Sequence, residues 1–233
     1  MTSSPHIKGV ALMENLRILH PYLNRDGVTE IVINQPGEVI TESRSGWERF
    51  DVPELNFNLC QDIAKLTATF SGQSLDERKP IISATLPEGE RVQIVVPPVT
   101  LSGRVSLTIR KPPTFNPTLD DYEKSGAFDQ VIDYSSDLSE VERTLLELKQ
   151  GRKFKAFFEL AIKSRLNIIV SGSTGSGKTT FMRSLLQLVP DDERLISIEN
   201  VDELGLYKTH WNTVPLFYSA GGQGVSEVSQ QHL

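Results

Sequence analysis

The stretch NIIVSGSTGSGKTTFMRSLL, which begins at Asn167, constrains this chain more than any other. Its middle, GSTGSGKT at 172–179, has the spacing G-x-x-x-x-G-K-[ST]. Glycines this dense let the backbone turn tightly and aim successive N–H groups at one spot. The positive end of the next helix's dipole falls on the same spot. Such a loop cradles phosphate. Gly172, Ser173, Thr174, Gly175, Ser176 and Gly177 form the cradle, Lys178 reaches the β- and γ-phosphates, and Thr179 holds Mg²⁺ through its hydroxyl. A nucleotide with Mg²⁺ is the ligand this pattern implies.

The flanking sequence has the periodicity the loop requires. LNIIVS predicts a buried-type strand running into it, and KTTFMRSLLQLV predicts the following helix, closed by Pro190. LSEVERTLLELKQG, with Gly151 as a stop, and KFKAFFELAIKSR predict two helices before it. RLISIE and TVPLFY predict two strands after it. Strand and helix alternating in this way mark a parallel α/β sheet.

The first half is of another kind. ALMENLRILHPYL predicts a helix stopping near Pro21, and VTEIVIN, EVITES and GWERFDV predict strands. NFNLCQDIAKLTATFSG sets apolar residues along one helical face, with Gly72 as a stop. ISATLP, RVQIVVP and RVSLTIR follow as strands, the first two joined by the turn PEGE. The expected fold class is α/β, with an N-terminal α+β domain at 1–112 and a phosphate-loop domain at 138–233. The Pro-, Ser- and Asp-rich stretch 113–137 is expected to be a linker. It holds one short helix, capped by Thr118 three residues before Asp121.

Composition narrows the function. A formal net charge of -6 argues against nonspecific nucleic-acid binding, which needs a positive face to displace counterions. The one dense basic run, KQGRKFK at 149–155, is expected to be a solvated helix face. Cys60, the single cysteine, has no disulfide partner and is expected to be buried as a small apolar side chain. His6, His20, His210 and His232 are scattered without ligand spacing. No apolar run approaches the ~20 residues of a membrane span, and the N-terminus lacks a signal-peptide core. A cytoplasmic protein is expected.

Hydrolysis also needs a carboxylate, and LISIEN ends a strand on Glu199, about twenty residues beyond Lys178. Glu199 either helps to hold Mg²⁺ or polarises the attacking water. Glu203, four residues on, is its partner or a solvated charge.

Four stretches taken together, RVQIVVPPVTLSGRVSLTIRKPP, SGSTGSGKTT, SIENVDELGL and VPLFYSAGGQGVSEVS, resemble the traffic ATPases of type IV secretion and conjugation systems. These belong to the secretion-ATPase superfamily, with type II secretion and pilus retraction motors. The likeness runs from about residue 10 to the end of the chain. It implies an N-terminal domain and a RecA-like ATPase domain, with ATP between them. It also implies a homo-hexameric ring, partnered by other secretion-system components at the inner membrane and indirectly by DNA or protein cargo. A cytoplasmic protein peripheral to that membrane follows. The resemblance extends the phosphate site to Thr180, places Glu199 and Glu203 in an acidic box, and brings N-terminal arginines to the γ-phosphate. Arg91 and Arg110 are the candidates, with Arg104 in reserve.

Two departures from the family stand out. Asn200 occupies a position where the family has Asp, so the acidic box loses a charge. After Glu199 the family carries a Walker B segment, a histidine box and C-terminal helices, and 200–233 holds none of these. The RecA-like domain therefore looks incomplete. The expectation is a shortened form of a longer ATPase, binding nucleotide weakly and turning over slowly. The alternative is a non-hydrolysing nucleotide-binding or assembly subunit of the same machine. A small-molecule kinase or GTPase fits worse, because no NKxD-like stretch is present and the large N-terminal domain has no place there.

Overall fold

The computed structural model describes residues 5–113, 117–129, 131, 137–220 and 224–233. Parts of the expected linker and residues 221–223 of the last resembling stretch lie outside the described residues. Contacts divide the chain into two compact parts, 1–112 with 192–233, and 113–191.

The first part is built on an antiparallel sheet in the order β3-β2-β1-β6-β5-β4. Its strands are β1 (Glu30–Ile33), β2 (Glu38–Ser43), β3 (Gly46–Asp51), β4 (Ile81–Thr85), β5 (Arg91–Val95) and β6 (Ser106–Arg110). Period-two alternation gives the sheet two unlike faces. Ile31, Ile33, Val39, Val92, Ile94, Leu107 and Ile109 turn to one side and join one buried cluster. Two helices cover that side, α1 (Pro5–Leu16) and α3 (Phe57–Phe70).

The α3 sequence buries Cys60, Ile63, Ala64, Thr67 and Ala68, the i, i+3, i+4, i+7, i+8 stripe of an amphipathic helix. The Asn56 side chain caps it by accepting from the Leu59 N–H at 3.1 Å. Burial pushes the Cys60 thiol up to about 11, so it packs as a small hydrophobe. The first helical stretch ends at Leu23, close to Pro21 as expected, but it is not one continuous helix. A 3₁₀ turn at Arg17–Leu19 leads into α2 (His20–Leu23), where Pro21 sits near the start. Proline is tolerated there because that N–H has no intrahelical partner.

The other sheet face is polar and meets residues 192–233. There β7 (Leu195–Glu199) and β8 (Thr213–Phe217) form the two expected strands and pair in parallel, although Ile196 and Ile198 of β7 stay exposed. The Phe217 N–H donates to the Val99 carbonyl at 2.7 Å, and Val95, Val99 and Val228 form a small apolar cluster with Leu216 beside it. The Asn34 amide donates to Asn212 Oδ1 at 3.0 Å in a buried contact.

The second part is helical: α4 (Leu119–Lys124), α5 (Glu140–Gln150), α6 (Phe154–Lys163) and α7 (Lys178–Leu186). Capping boxes Thr118/Asp121 and Ser139/Glu142 start α4 and α5. Phe158 of α6 packs edge-on against Phe181 of α7 with ring centroids 5.3 Å apart. One expectation fails here. Residues 166–171 join no ladder among the described residues, and Ile169 is 93% exposed. An apolar run becomes a strand only when neighbours satisfy its backbone donors and acceptors, and no described strand pairs with it. The helix after the loop also stops at Leu186, before Pro190.

Candidate functional site

The site residues fall in both parts, and each part is built separately. In the loop, Gly175 and Gly177 adopt φ of +77° and +85°, a region that side chains with a Cβ rarely enter. Gly177 is the N-cap of α7 and brings no side chain to close it, so first-turn N–H groups are left to face an anion. Thr179 and Thr180 lie in that first turn, directly after Lys178. The Lys178 ammonium donates to the Ser173 carbonyl at 2.7 Å, and the Ser176 N–H donates to the same oxygen at 3.2 Å. The turn is thereby drawn shut around its own lysine. A Cβ on Gly172 would lie 2.7 Å from Ser176 Oγ, so that serine leans on a space only glycine leaves open. Amide donors, an ammonium and hydroxyls converging at a helix N-terminus form a donor set suited to a polyphosphate.

In the other part, Glu199 ends β7 and folds back over the turn that follows. Its Oε2 accepts from the N–H groups of Glu203 and Leu204, both at 2.9 Å, while Oε1 is buried with no hydrogen-bond partner among the described residues. Glu203 thus supports Glu199 through its backbone. Asp202 braces the same turn, accepting from the Gly205 N–H at 3.2 Å and from the Tyr207 hydroxyl at 2.7 Å. That bond and burial raise the Tyr207 phenol above its ordinary value.

The three N-terminal arginines separate. Arg91 and Arg110 stand directly opposite each other across β5 and β6. Both line a shallow groove of about 730 Å³ on the polar sheet face, with Ser83, Gln93, Thr108 and Glu30. Arg104 lies elsewhere, over the Tyr207 ring at 4.9 Å and within the field of Glu38. Burial lowers its guanidinium and Glu38 opposes that shift.

Sequence inspection passes over two members of this face. Glu30 faces Arg110 from β1 and approaches its Nε to 3.8 Å. Arg194, just before β7, donates to Thr108 Oγ1 at 3.1 Å and lies over the Trp47 ring at 5.5 Å. Burial lowers Arg194 and raises Glu30, and their mutual attraction opposes both shifts. Neither residue stands in a motif, since only strand register brings them to the arginines.

Among the described residues, no group of three or more His, Cys, Asp or Glu could hold a metal ion. No helix among the described residues is long and apolar enough to cross a membrane.

A glycine loop opening a helix, in a chain of mixed helix and sheet, defines the phosphate-loop class of proteins. The chain belongs to the Type II/IV secretion system protein family, whose profile matches residues 13–225. It is 43% identical over 204 residues to the type IV secretion system protein VirB11 of Brucella suis, covering 88% of this chain and 56% of that protein. VirB11 of Bartonella henselae is 37% identical, with 95% of this chain and 65% of that protein covered. PtlH of Bordetella pertussis is 37% identical, with 90% of this chain and 61% of that protein covered. The fold is similar to a crystal structure of the Brucella suis VirB11 ATPase in complex with sulphate, with a TM-score of 0.84 and 42% identity. That match covers 89% of this chain and 64% of the solved one.

Proposed function

We propose that this chain binds ATP with Mg²⁺ and acts in an ATPase motor that powers type IV secretion of protein or conjugative DNA. The loop carries the proposal: its two glycines in the left-handed region, the uncapped start of α7 and the Lys178 ammonium together match a polyphosphate. Kinship with VirB11 proteins, one of them solved as an ATPase with sulphate, supports it. Bound Mg²⁺–ATP would supply the phosphoanhydride whose γ-phosphoryl group passes to water.

The chain's own groups have these roles. Backbone N–H groups of 172–180 orient the phosphates. Lys178 exchanges the Ser173 carbonyl for a phosphate oxygen, and Thr179 turns its hydroxyl to the metal. Glu199, held through Oε2, keeps Oε1 to orient water. Arg91 and Arg110 answer charge developing on the γ-phosphate, an effect worth ~10³–10⁵ in rate where it operates. We also propose the division into domains at 1–112 and 138–233 with a linker between them. A homo-hexamer at the cytoplasmic face of the inner membrane, contacting other components of the machine, completes the proposal.

Phosphate release by purified protein, with Lys178→Ala beside it, tests hydrolysis. Release is expected only from the unaltered chain, and equal release from both removes the loop from the reaction. A non-hydrolysing assembly subunit is the alternative. It is favoured by the exposed Ile196 and Ile198 on β7 and by residues 166–171 joining no ladder among the described residues. Mixed in excess with a full-length relative, such a subunit should poison activity. Unchanged activity removes that alternative.

A further inference from the structure

The polar sheet face carries one unbroken row of opposed residues through all six strands. In register it reads Trp47, Glu42, Glu30, Arg110, Arg91, Thr85. Like charges directly opposite each other destabilise a sheet, and this row contains two such pairs, Glu42 with Glu30 and Arg110 with Arg91. The arrangement is tolerable only if the carboxylates and guanidiniums answer one another. They do so unevenly. Arg110 reaches Glu30 at 3.8 Å, a long ion pair, and Arg91 forms no ion pair among the described residues.

Arg194 lies on the carboxylate end of this row. Its Nη2 donates to Thr108 and its guanidinium lies over Trp47, so it spans Glu30 and Glu42. Its Nη1 is buried without a hydrogen-bond partner among the described residues. A buried N–H of a charged group left unpaired is costly, roughly 1–3 kcal/mol or more. Glu30, its side chain only 16% exposed, is the carboxylate most strongly attracted to it, yet the two do not close into an ion pair. One carboxylate therefore stands between two claimants, Arg110 on the groove side and Arg194 on the β7 side.

We propose that Glu30 is a shared counter-ion, held by Arg110 at rest and transferred to Arg194 when a polyphosphate takes Arg110. This rests on the proposal that Arg91 and Arg110 meet phosphate. The transfer satisfies Arg194 Nη1 as the anion satisfies Arg110, so the two events favour each other. Because Arg194 adjoins β7, whose last residue is Glu199, occupancy of the groove is coupled to the strand that holds the acidic turn. Glu30 is a positioning residue here: it sets how readily Arg110 yields to an anion and touches neither phosphate nor water.

The test measures binding of inorganic pyrophosphate by calorimetry in the Lys178→Ala chain, which weakens the loop as a competing site. Glu30→Gln keeps the side chain's shape and removes a charge that burial disfavours, so the fold is retained. It should raise affinity about two- to fivefold, the scale of a partly exposed ion pair. Arg194→Gln should lower affinity by a similar factor, because Glu30 then has Arg110 alone. The double variant should match Glu30→Gln, whereas a merely structural role for Arg194 would leave its defect in place.

A second readout comes from Trp47 emission in a Trp211→Phe background. Pyrophosphate should shift it as Arg194 is drawn to Glu30, and Glu30→Gln should abolish the shift. If Arg91→Ala and Arg110→Ala abolish uptake while Glu30→Gln changes neither affinity nor emission, the counter-ion proposal falls and the arginine site stands. If uptake is absent, or indifferent to both arginines, the phosphate role of the arginines falls and takes the counter-ion with it.

Discussion

The loop at 172–180 and the charged row on the six-stranded sheet each concentrate positive charge, by opposite means. The loop uses consecutive residues, neutral backbone amides and a single ammonium, and its shape follows from φ angles at Gly175 and Gly177. The row uses full charges on side chains from separate strands, and its shape follows from register. A loop of amides tolerates distant change but not a Cβ at the wrong glycine. A row of opposed side chains tolerates local change but not a slip of one residue, which would turn every member to the other face. Charge in the loop is also partly balanced within the turn, by the Ser173 carbonyl, whereas the row keeps an arginine pair facing each other.

The largest expected effect is kinetic. Arg91→Ala should cut phosphate release about a thousandfold while nucleotide affinity falls little, if the row acts on developing charge. Single-turnover assays separate the two quantities, and an equal loss in both would make the row a simple binding surface. Next in size is Gly177→Ala. Forcing a Cβ into the left-handed region costs roughly 1–2 kcal/mol, so nucleotide affinity should drop about tenfold while pyrophosphate uptake by the sheet face is unmoved. Calorimetry on both ligands checks this, and a matching loss on the sheet would mean that the regions are not independent.

Acid gives the smallest effect and separates the two parts by sign. Burial, ahead of the opposing attraction of Arg194, raises the Glu30 carboxyl, with Glu42 raising it further and Arg110 lowering it. The stability it contributes is present below its unfolded pKa and is lost as pH rises through the folded value. Asp121 and Glu142 are held below their ordinary values by hydrogen bonds from Thr118 and Ser139. Their contribution is present above the unfolded pKa and is lost as pH falls through the folded one. On acidification Glu30 should therefore protonate first, and the caps of α4 and α5 last. Carboxyl carbon shifts followed by NMR titration give the order, and Asp121 titrating before Glu30 would contradict it.

Much of the architecture could be read from local pattern. The strands from VTEIVIN to RVSLTIR, the α3 stripe, the Thr118 cap and the Gly151 stop each leave a pattern within a few residues of sequence, and all appear as elements or caps. The run LNIIVS could not be read correctly, because a strand is a property of two segments and this one has no described partner. Arg104 could not be told from Arg91 and Arg110 by inspection, since all three lie in or beside apolar strands. Only the register shows that two of them share a groove and the third meets Tyr207.

By itself, then, the order of amino acids determined the phosphate loop, because a run of glycines and one lysine carry their geometry in adjacent dihedral angles. The tertiary structure alone decided that Glu30 would stand between Arg110 and Arg194, residues 80 and 164 positions away along the chain. Electrostatic attraction acts through space over a few ångströms, and only strand pairing and the packing of 192–233 on the sheet bring these charges that close.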